Sequence, residues 1–106
     1  MALASPIDIG LMKLAAIKDR GTRRDFVDLY CLRHVVTLKH LIDLAEVKYA
    51  DHPDFLRTLA RALAYFDDAQ QQPMPDMLKR VRWAYVKRHA QEGAQYIVRQ
   101  QRKRAE

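Results

Sequence analysis

Apolar residues recur along this chain at intervals of three and four, which is the spacing of amphipathic helices. Five segments carry this spacing, and capping or helix-breaking residues separate them. The segments are residues 6–20, 23–36, 38–50, 54–66 and about 77–104. No stretch alternates apolar and polar residues as a half-buried strand does. The pattern predicts an all-α fold: a small bundle of about five helices in a single domain, residues 1–106, with a long, basic last helix.

The first two helix starts carry the same capping signal. Ser5-Pro6-Ile7-Asp8 and Thr22-Arg23-Arg24-Asp25 each place a hydroxyl at the N-cap and a carboxylate three residues later, as in a capping box. Gly21 stands between the two helices, so we predict that it ends the first one with a positive φ. The first helix is apolar on nearly every side, which predicts burial on most of its faces.

The apolar stripes of the later helices predict the core. The residues on these stripes are Phe26, Leu29, Tyr30, Val36, Leu38, Leu41, Ile42, Ala45, Phe55, Leu59, Ala62, Leu63, Phe66, Trp83, Val86, Ala90, Ile97 and Val98. Pro73 and Pro75 exclude a helix through residues 67–76, which form the one extended connection. Gly93 is expected to weaken the middle of the last helix, and residues 99–106 are expected to fray.

Composition is that of a globular protein, with 49% hydrophobic and 30% charged residues. The single cysteine, Cys31, excludes an intrachain disulfide, and its apolar surroundings predict an inert core thiol. Residues 1–10 lack the basic start of a signal peptide. No apolar run approaches the roughly 18 residues that span a bilayer. We therefore expect a cytoplasmic protein with no membrane partner.

The positive charge is concentrated at one end of the chain. Residues 79–106 contain nine Lys/Arg and two Asp/Glu, whereas residues 1–78 contain ten and eleven. Such an excess indicates an anionic partner. The candidate nucleic-acid contacts are Arg99, Arg102, Lys103 and Arg104. The alternative is a solvated helix end whose cations complement the helix dipole.

The usual metal and phosphate motifs are missing from the sequence. The four histidines do not have metal-ligand spacing, and we expect them at the surface. They are His34, His40, His52 and His89. The three glycines are isolated from one another, so no Gly-rich phosphate loop is predicted.

Lys13 is the first candidate for chemistry, because it is a lysine within an apolar helix. One interpretation is that its long side chain reaches water along its aliphatic stem. The other is a point charge held in a cleft to bind phosphate.

Two aspartates near the start of the second helix are the next candidates. Asp25 and Asp28 are three residues apart and therefore project from one side of that helix. Capping accounts for Asp25, but Asp28 lies one turn deeper. Arg24 is placed four residues before Asp28 and is expected to pair with it. A salt bridge that orients helix one against helix two would use these same residues, so this spacing leaves structural and catalytic roles open.

These residues belong to a longer stretch with a family resemblance. Residues 12–32, MKLAAIKDRGTRRDFVDLYCL, resemble the C-terminal motifs of the AbiEii/AbiGii-type nucleotidyltransferase toxin family. Residues 62–77, ALAYFDDAQQQPMPDM, and 82–87, RWAYVK, resemble its later segment. The resemblance implies catalytic roles for Lys13 and Asp28, supported by Arg24 and Asp25. It also implies a polymerase-type nucleotidyltransferase fold, nucleotide transfer often to tRNA, and an antitoxin partner.

The sequence departs from this family in one respect that bears on activity. The family's first half carries a Gly-Ser element and Asp-x-Asp metal ligands, and neither occurs in these 106 residues. Phosphoryl transfer relies on metal ions that bridge phosphate oxygens. The resemblance therefore implies a helical half-module that is inactive alone and uses NTP and Mg²⁺ only when a missing half completes it.

Two alternatives to the half-module stay open. In the first alternative, the chain is an interaction module that forms a homodimer or binds a second protein through an exposed apolar helix face. Otherwise it is a small RNA- or DNA-binding protein that uses its basic last helix, with salt-sensitive affinity.

Overall fold

The computed structural model describes residues 5–73 and 81–105. Within these ranges every regular element is helical, which confirms the predicted all-α bundle. The helices are α1 (Pro6–Arg20), α2 (Arg23–Cys31), α3 (Leu38–Lys48), α4 (Phe55–Ala64), the single turn α5 (Asp67–Gln70) and α6 (Trp83–Ala105). A short 3₁₀ turn, Leu32–His34, extends α2. Five of the helices have nine or more residues, matching the predicted number.

The helix starts follow the capping residues. At α1 the Asp8 amide donates to Ser5 Oγ at 3.1 Å, and the Ser5 amide donates to Asp8 Oδ2 at 3.4 Å. Thr22 and Asp25 exchange the same pair of bonds at 3.2 and 3.1 Å. Each such cap stabilises its helix by about 1 kcal/mol. The two predicted capping boxes are therefore confirmed.

Gly21 ends α1 differently from our prediction. Its φ is −70° and its ψ is 130°, so the predicted positive φ is wrong. The chain leaves α1 in an extended conformation and enters the Thr22 cap directly, which removes the need for a left-handed turn. A Cβ at this position would lie 2.9 Å from Phe26 Cε2, so the glycine is needed for close packing.

The core lies between α4 and its neighbours. α4 packs against both α1 and α6, and α2 contacts the same two helices. Most of the predicted stripe residues are buried; Tyr30, Ala62 and Trp83 are only partly so. Val98 is 46% exposed, which contradicts its predicted place in the core. Val27 is fully buried although its position did not indicate this.

The described residues cover α1 on one side only. Gly10, Leu11, Leu14 and Ile17 are buried, so the prediction of burial on most faces is wrong. The described elements that contact α1 are chiefly α2, α3 and α4. The apolar residues that they leave exposed are Ile7, Ile9 and Met12.

Gly93 has a packing role in the middle of α6. A Cβ there would lie 2.5 Å from Leu38 Cδ2 and 3.4 Å from Leu63 Cδ1. Gly10 plays the same part in α1, where a Cβ would lie 2.5 and 2.7 Å from the two Leu41 methyl carbons. Each glycine lets a neighbouring helix approach closely, at a propensity cost of about 1 kcal/mol.

Arg23 fastens the segment after α4 to the start of α2. Its guanidinium donates to the carbonyls of Ala69 and Gln70 at 3.1 and 3.0 Å, and its amide donates to Gln72 Oε1 at 2.9 Å. The guanidinium also lies 4.6 Å from the centre of the Trp83 ring. Residues 67–76 were predicted to be an extended connection, but their first four residues form the helical turn α5, and residues 74–76 lie outside the described ranges.

The last helix continues through Ala105, and Arg104 forms an ion pair with Glu46 on α3. Fraying of residues 99–106 in solution stays a prediction, and residue 106 lies outside the described ranges.

Two side chains are placed differently from our expectation. Cys31 is exposed, not a core thiol, because it ends α2 on the outer side. His89 is partly buried beside Tyr30, whereas the other three histidines are exposed.

Candidate functional site

The amine of Lys13 joins the first two helices. Its Nζ lies 3.0 Å from Asp28 Oδ2 and 3.3 Å from Asp25 Oδ1. Lys13 therefore points at the two aspartates. The sequence had left the direction of this side chain open. Lys13, Asp25 and Asp28, three of the four site residues singled out from the sequence, form one cluster, here called the Lys13 site.

The start of α2 positions both carboxylates. Asp25 accepts the Thr22 amide through Oδ2 and the Lys13 amine through Oδ1, so one side chain caps the helix and holds the lysine. Asp28 follows three residues later and faces the same side. The predicted capping role of Asp25 is thus correct, and it coexists with the ion pair.

The Lys13 site lies near the surface, in partial contact with water. The side chains of Lys13, Asp25 and Asp28 are 24%, 16% and 29% exposed. Burial acts to lower the pKa of Lys13, but hydrogen bonds and charge attraction, first from Asp28 and then from Asp25, outweigh it. The net pKa is raised above its ordinary value of 10.5. The amine is therefore fully charged at neutral pH.

Arg24 completes the charge balance of the Lys13 site. Its Nε lies 3.8 Å from Asp28 Oδ2, so the predicted i,i+4 pair is confirmed, although the Arg24 side chain is 65% exposed. Two cations thus face two carboxylates. A balanced cluster has no net attraction for a phosphate, and an incoming phosphate must compete with the aspartates for the Lys13 amine.

An exposed apolar surface adjoins the Lys13 site. Ile9 lies four residues before Lys13 and therefore beside it on α1, and Met12 lies three residues after Ile9. Their side chains are 37% and 65% exposed. An apolar surface next to a partly buried ion pair offers a place where further protein can pack.

The described residues contain no group of three or more His, Cys, Asp or Glu side chains placed to hold a metal ion. Asp25 and Asp28 are already engaged by Lys13, so the residues of the site do not make a Mg²⁺ site. The arrangement itself can orient α1 against α2 and present an ammonium group at the surface.

The four candidate nucleic-acid contacts do not form one set. Arg99 and Arg102 line a groove between α6 and α4. Lys103 is exposed, and Arg104 is paired with Glu46. The sequence reasoning missed that Arg57 and Arg61 of α4 line the same groove. Their i,i+4 spacing was a signal for a basic helix edge, but it could not show which helix faces it.

We expect Lys13→Met to lower the free energy of unfolding by about 1–2 kcal/mol, between the values for exposed and buried ion pairs. Because the folded pKa of Lys13 is raised above 10.5, this difference should be fully present at neutral pH. It should shrink as the pH rises past 10.5 through the folded value. Urea unfolding of the unsubstituted chain and of Lys13→Met across this pH range measures the difference in the free energy of unfolding. The contribution of the tyrosines is common to both proteins and cancels from this difference.

Lys18→Met is the matched control on the same helix. Lys18 pairs with Asp19 at 2.8 Å, but Asp19 is 74% exposed, so this pair should contribute little at any pH. An equal effect of both substitutions would show that the Lys13 ion pair adds no stability of its own.

No helix within residues 5–73 and 81–105 has the length and apolar content required to cross a membrane.

No family model matches the chain, and no solved structure matches it. An uncharacterised protein of Aquifex aeolicus (strain VF5) is 38% identical over 77 residues, which cover 71% of this chain and 36% of that protein. The chain thus spans about a third of the length of the curated relative that it matches. The name of that relative states no activity.

Proposed function

We propose that this chain is the helical half-module of a nucleotidyltransferase-like protein of the AbiEii type, inactive until a metal-binding half completes it. The observation that supports this proposal is the Lys13 amine, held by Asp28 at 3.0 Å across the α1–α2 junction. The resemblance assigns catalytic roles to these same two residues. Their contact in the folded chain is what a shared site requires.

The proposed role of Lys13 is to contact phosphate oxygens of a bound nucleotide. Lysine is a compact point charge on a flexible stem, which suits a phosphate that must be held and released. In the isolated chain the Lys13 amine is paired with the carboxylates of Asp25 and Asp28. Phosphate would displace one of them only if additional positive charge were supplied beside it. For this reason we propose that the isolated chain transfers no nucleotide.

The exposed side of α1 is the proposed surface for the completing half. Ile9 and Met12 adjoin Lys13, so protein that packed on them would lie directly beside the amine. In the Aquifex relative the matched region is 36% of the length, so it belongs to a longer chain there. This supports the proposal that a further half completes the present chain. An antitoxin and a tRNA acceptor belong to the same proposal as partners of the completed protein.

The first experiment uses the pure chain with radiolabelled NTPs, Mg²⁺ and total tRNA. The expected result is no labelled RNA above the background of a reaction without protein. Labelling by the chain alone would overturn the proposed dependence on a second half.

The second experiment concerns the genomic DNA around the coding sequence. The proposal requires a Gly-Ser and Asp-x-Asp element, encoded in the same frame upstream or in an adjacent gene. The completed protein should label tRNA, and Lys13→Met should reduce this by about 10²–10³-fold, as loss of one charge-stabilising group does. Lys18→Met should stay within twofold.

Thermal unfolding of each completed variant separates a lost contact from a lost fold. If no such element is encoded nearby, or if Lys13→Met in a folded, completed protein keeps full activity, the proposal fails.

Self-association is the second candidate function, because the exposed Met12 and Ile9 side chains serve it equally well. Sedimentation equilibrium of the pure chain tests it. A monomer at the highest attainable concentration would count against a homodimer, and it would leave the surface to the completing half.

A further inference from the structure

A groove between α4 and α6 is a surface feature separate from the Lys13 site. Its volume is about 530 Å³, and none of the Lys13 site residues line it. The floor consists of small apolar side chains: Ala60 and Ala64 from α4, and Ala94 and Val98 from α6. On each helix these two residues are four apart, so they form a continuous stripe. Val98, predicted for the core, is instead an accessible part of this floor.

The walls of the groove are basic. Arg57 and Arg61 line it from α4, and Arg99 and Arg102 line it from α6. No aspartate or glutamate is among the residues that line it. Within the described side chains, only Arg57 of these four has a carboxylate within 4 Å, Asp54 at 3.8 Å, and both partners are more than 70% exposed. Among the described carboxylates, only that of Asp54 thus competes with an anionic partner for these guanidinium groups.

We propose that the groove, which these eight residues line together with Gln95 and Gln101, binds an acidic amphipathic helix of another protein. The alanines let a helix approach closely, and an apolar stripe at i, i+3, i+4 and i+7 would cover the floor. Glutamate or aspartate on both flanks of that stripe would meet the four arginines. The proposal does not depend on the Lys13 site.

Two other occupants fit the groove less well. A second copy of this chain carries a net charge of +6, so bringing another copy to a basic groove is opposed by charge. A nucleic-acid backbone would satisfy the arginines, but it offers nothing apolar to cover the alanine and valine floor. The combination of an apolar floor with basic walls is what favours a helix.

The test uses designed peptides as probes, followed by fluorescence anisotropy. The first peptide is a helix with a leucine stripe flanked by glutamates. A second replaces the leucines with serine, and a third replaces the glutamates with lysine. A single-stranded RNA of similar charge is the fourth probe. We expect saturable binding of the first peptide with a Kd below about 0.1 mM, and at least tenfold weaker binding of the other three.

Variants assign the binding to the groove. Arg99→Glu should weaken the first peptide at least tenfold, whereas Arg88→Glu should change it less than twofold. Arg88 is an exposed arginine of the same helix outside the groove, so it is a matched control. Val98→Ser alters only the floor at a half-exposed position, and it should weaken binding by several-fold without loss of the folded state, which far-ultraviolet circular dichroism verifies.

The proposal fails if the first peptide does not bind, or if the serine peptide binds equally well, since attraction would then be charge alone. It also fails if the two arginine variants are equivalent. If RNA bound more tightly than the peptide and Val98→Ser left this binding unchanged, Arg99 and Arg102 would be nucleic-acid contacts instead. If the chain formed dimers that the peptide did not disrupt, the groove would be a surface for self-association instead.

Discussion

Leu63→Ala is expected to lower the free energy of unfolding by about 2–5 kcal/mol, the range for truncation of a fully buried leucine. Leu63 lies on α4 with none of its surface exposed, and it touches α6 beside Gly93. α4 is in contact with both α1 and α6, and a cavity at Leu63 weakens the interface of α4 with α6. A chain of this size has about 5–15 kcal/mol of stability in total. The loss is therefore a large fraction of that total.

Urea unfolding measures this effect, with the midpoint shifted and the slope retained if the variant unfolds in two states. Leu56→Ala is the control, because Leu56 is on the same helix but only partly buried. Its loss should be less than half as large. Equal losses at the two positions would mean that α4 is not packed between α1 and α6 as described.

The second large effect is expected from Gly10→Val. The substituted side chain would begin with a Cβ 2.5 Å from Leu41 Cδ1, and Leu41 is only 1% exposed, so its rotation is restricted. Overpacking of this kind costs about 1–3 kcal/mol. Helix propensity favours the variant slightly, because glycine is the poorer helix former. A measured loss would therefore identify the close approach of α1 and α3 as the cause.

A double-mutant cycle with Leu41→Ala isolates that contact. Leu41→Ala alone should be destabilising, but in its presence Gly10→Val should be neutral or stabilising, because the valine fills the vacated space. The expected coupling is about 1–3 kcal/mol. Ala16→Val, at a partly buried position of α1, controls for the general cost of a β-branched residue in a helix. Additive losses in the cycle would contradict the packing of Gly10 against Leu41.

The helices were predictable because their signals are local. Ser5 and Thr22 cap their helices with the hydrogen bonds that the sequence indicated, since a capping box involves only four consecutive residues. The apolar stripes of α3 and α4 were likewise predictable, because the helical repeat places residues three and four apart on one side. Gly21 shows where this reasoning fails: the same residue type ends helices in more than one conformation, and the next cap determined which.

The candidate site was predictable in part. The i,i+4 pair of Arg24 with Asp28 follows from one helix alone. The contact of Lys13 with Asp28 needs the angle between α1 and α2, which depends on how α1 packs against α4 and α2 against α6. The residues could therefore be selected from the sequence, but their distance of 3.0 Å could not be predicted. The catalytic role that the resemblance implies for them stays a proposal.

The sequence by itself determined the five longer helical segments, the capped starts of α1 and α2, and which side of each helix carries apolar residues, because these properties arise between residues a few positions apart. It did not determine the turn α5 or the start of α6 at Trp83. Only the tertiary structure decided which apolar sides are covered. It left Ile9, Met12 and Val98 exposed, turned Cys31 outward, and gave Gly10 and Gly93 their role as points of close approach. It also brought the arginines of α4 and α6 to one groove. The physical reason is that burial and charge clustering depend on which helices pack side by side, and that arrangement joins residues that are distant along the chain.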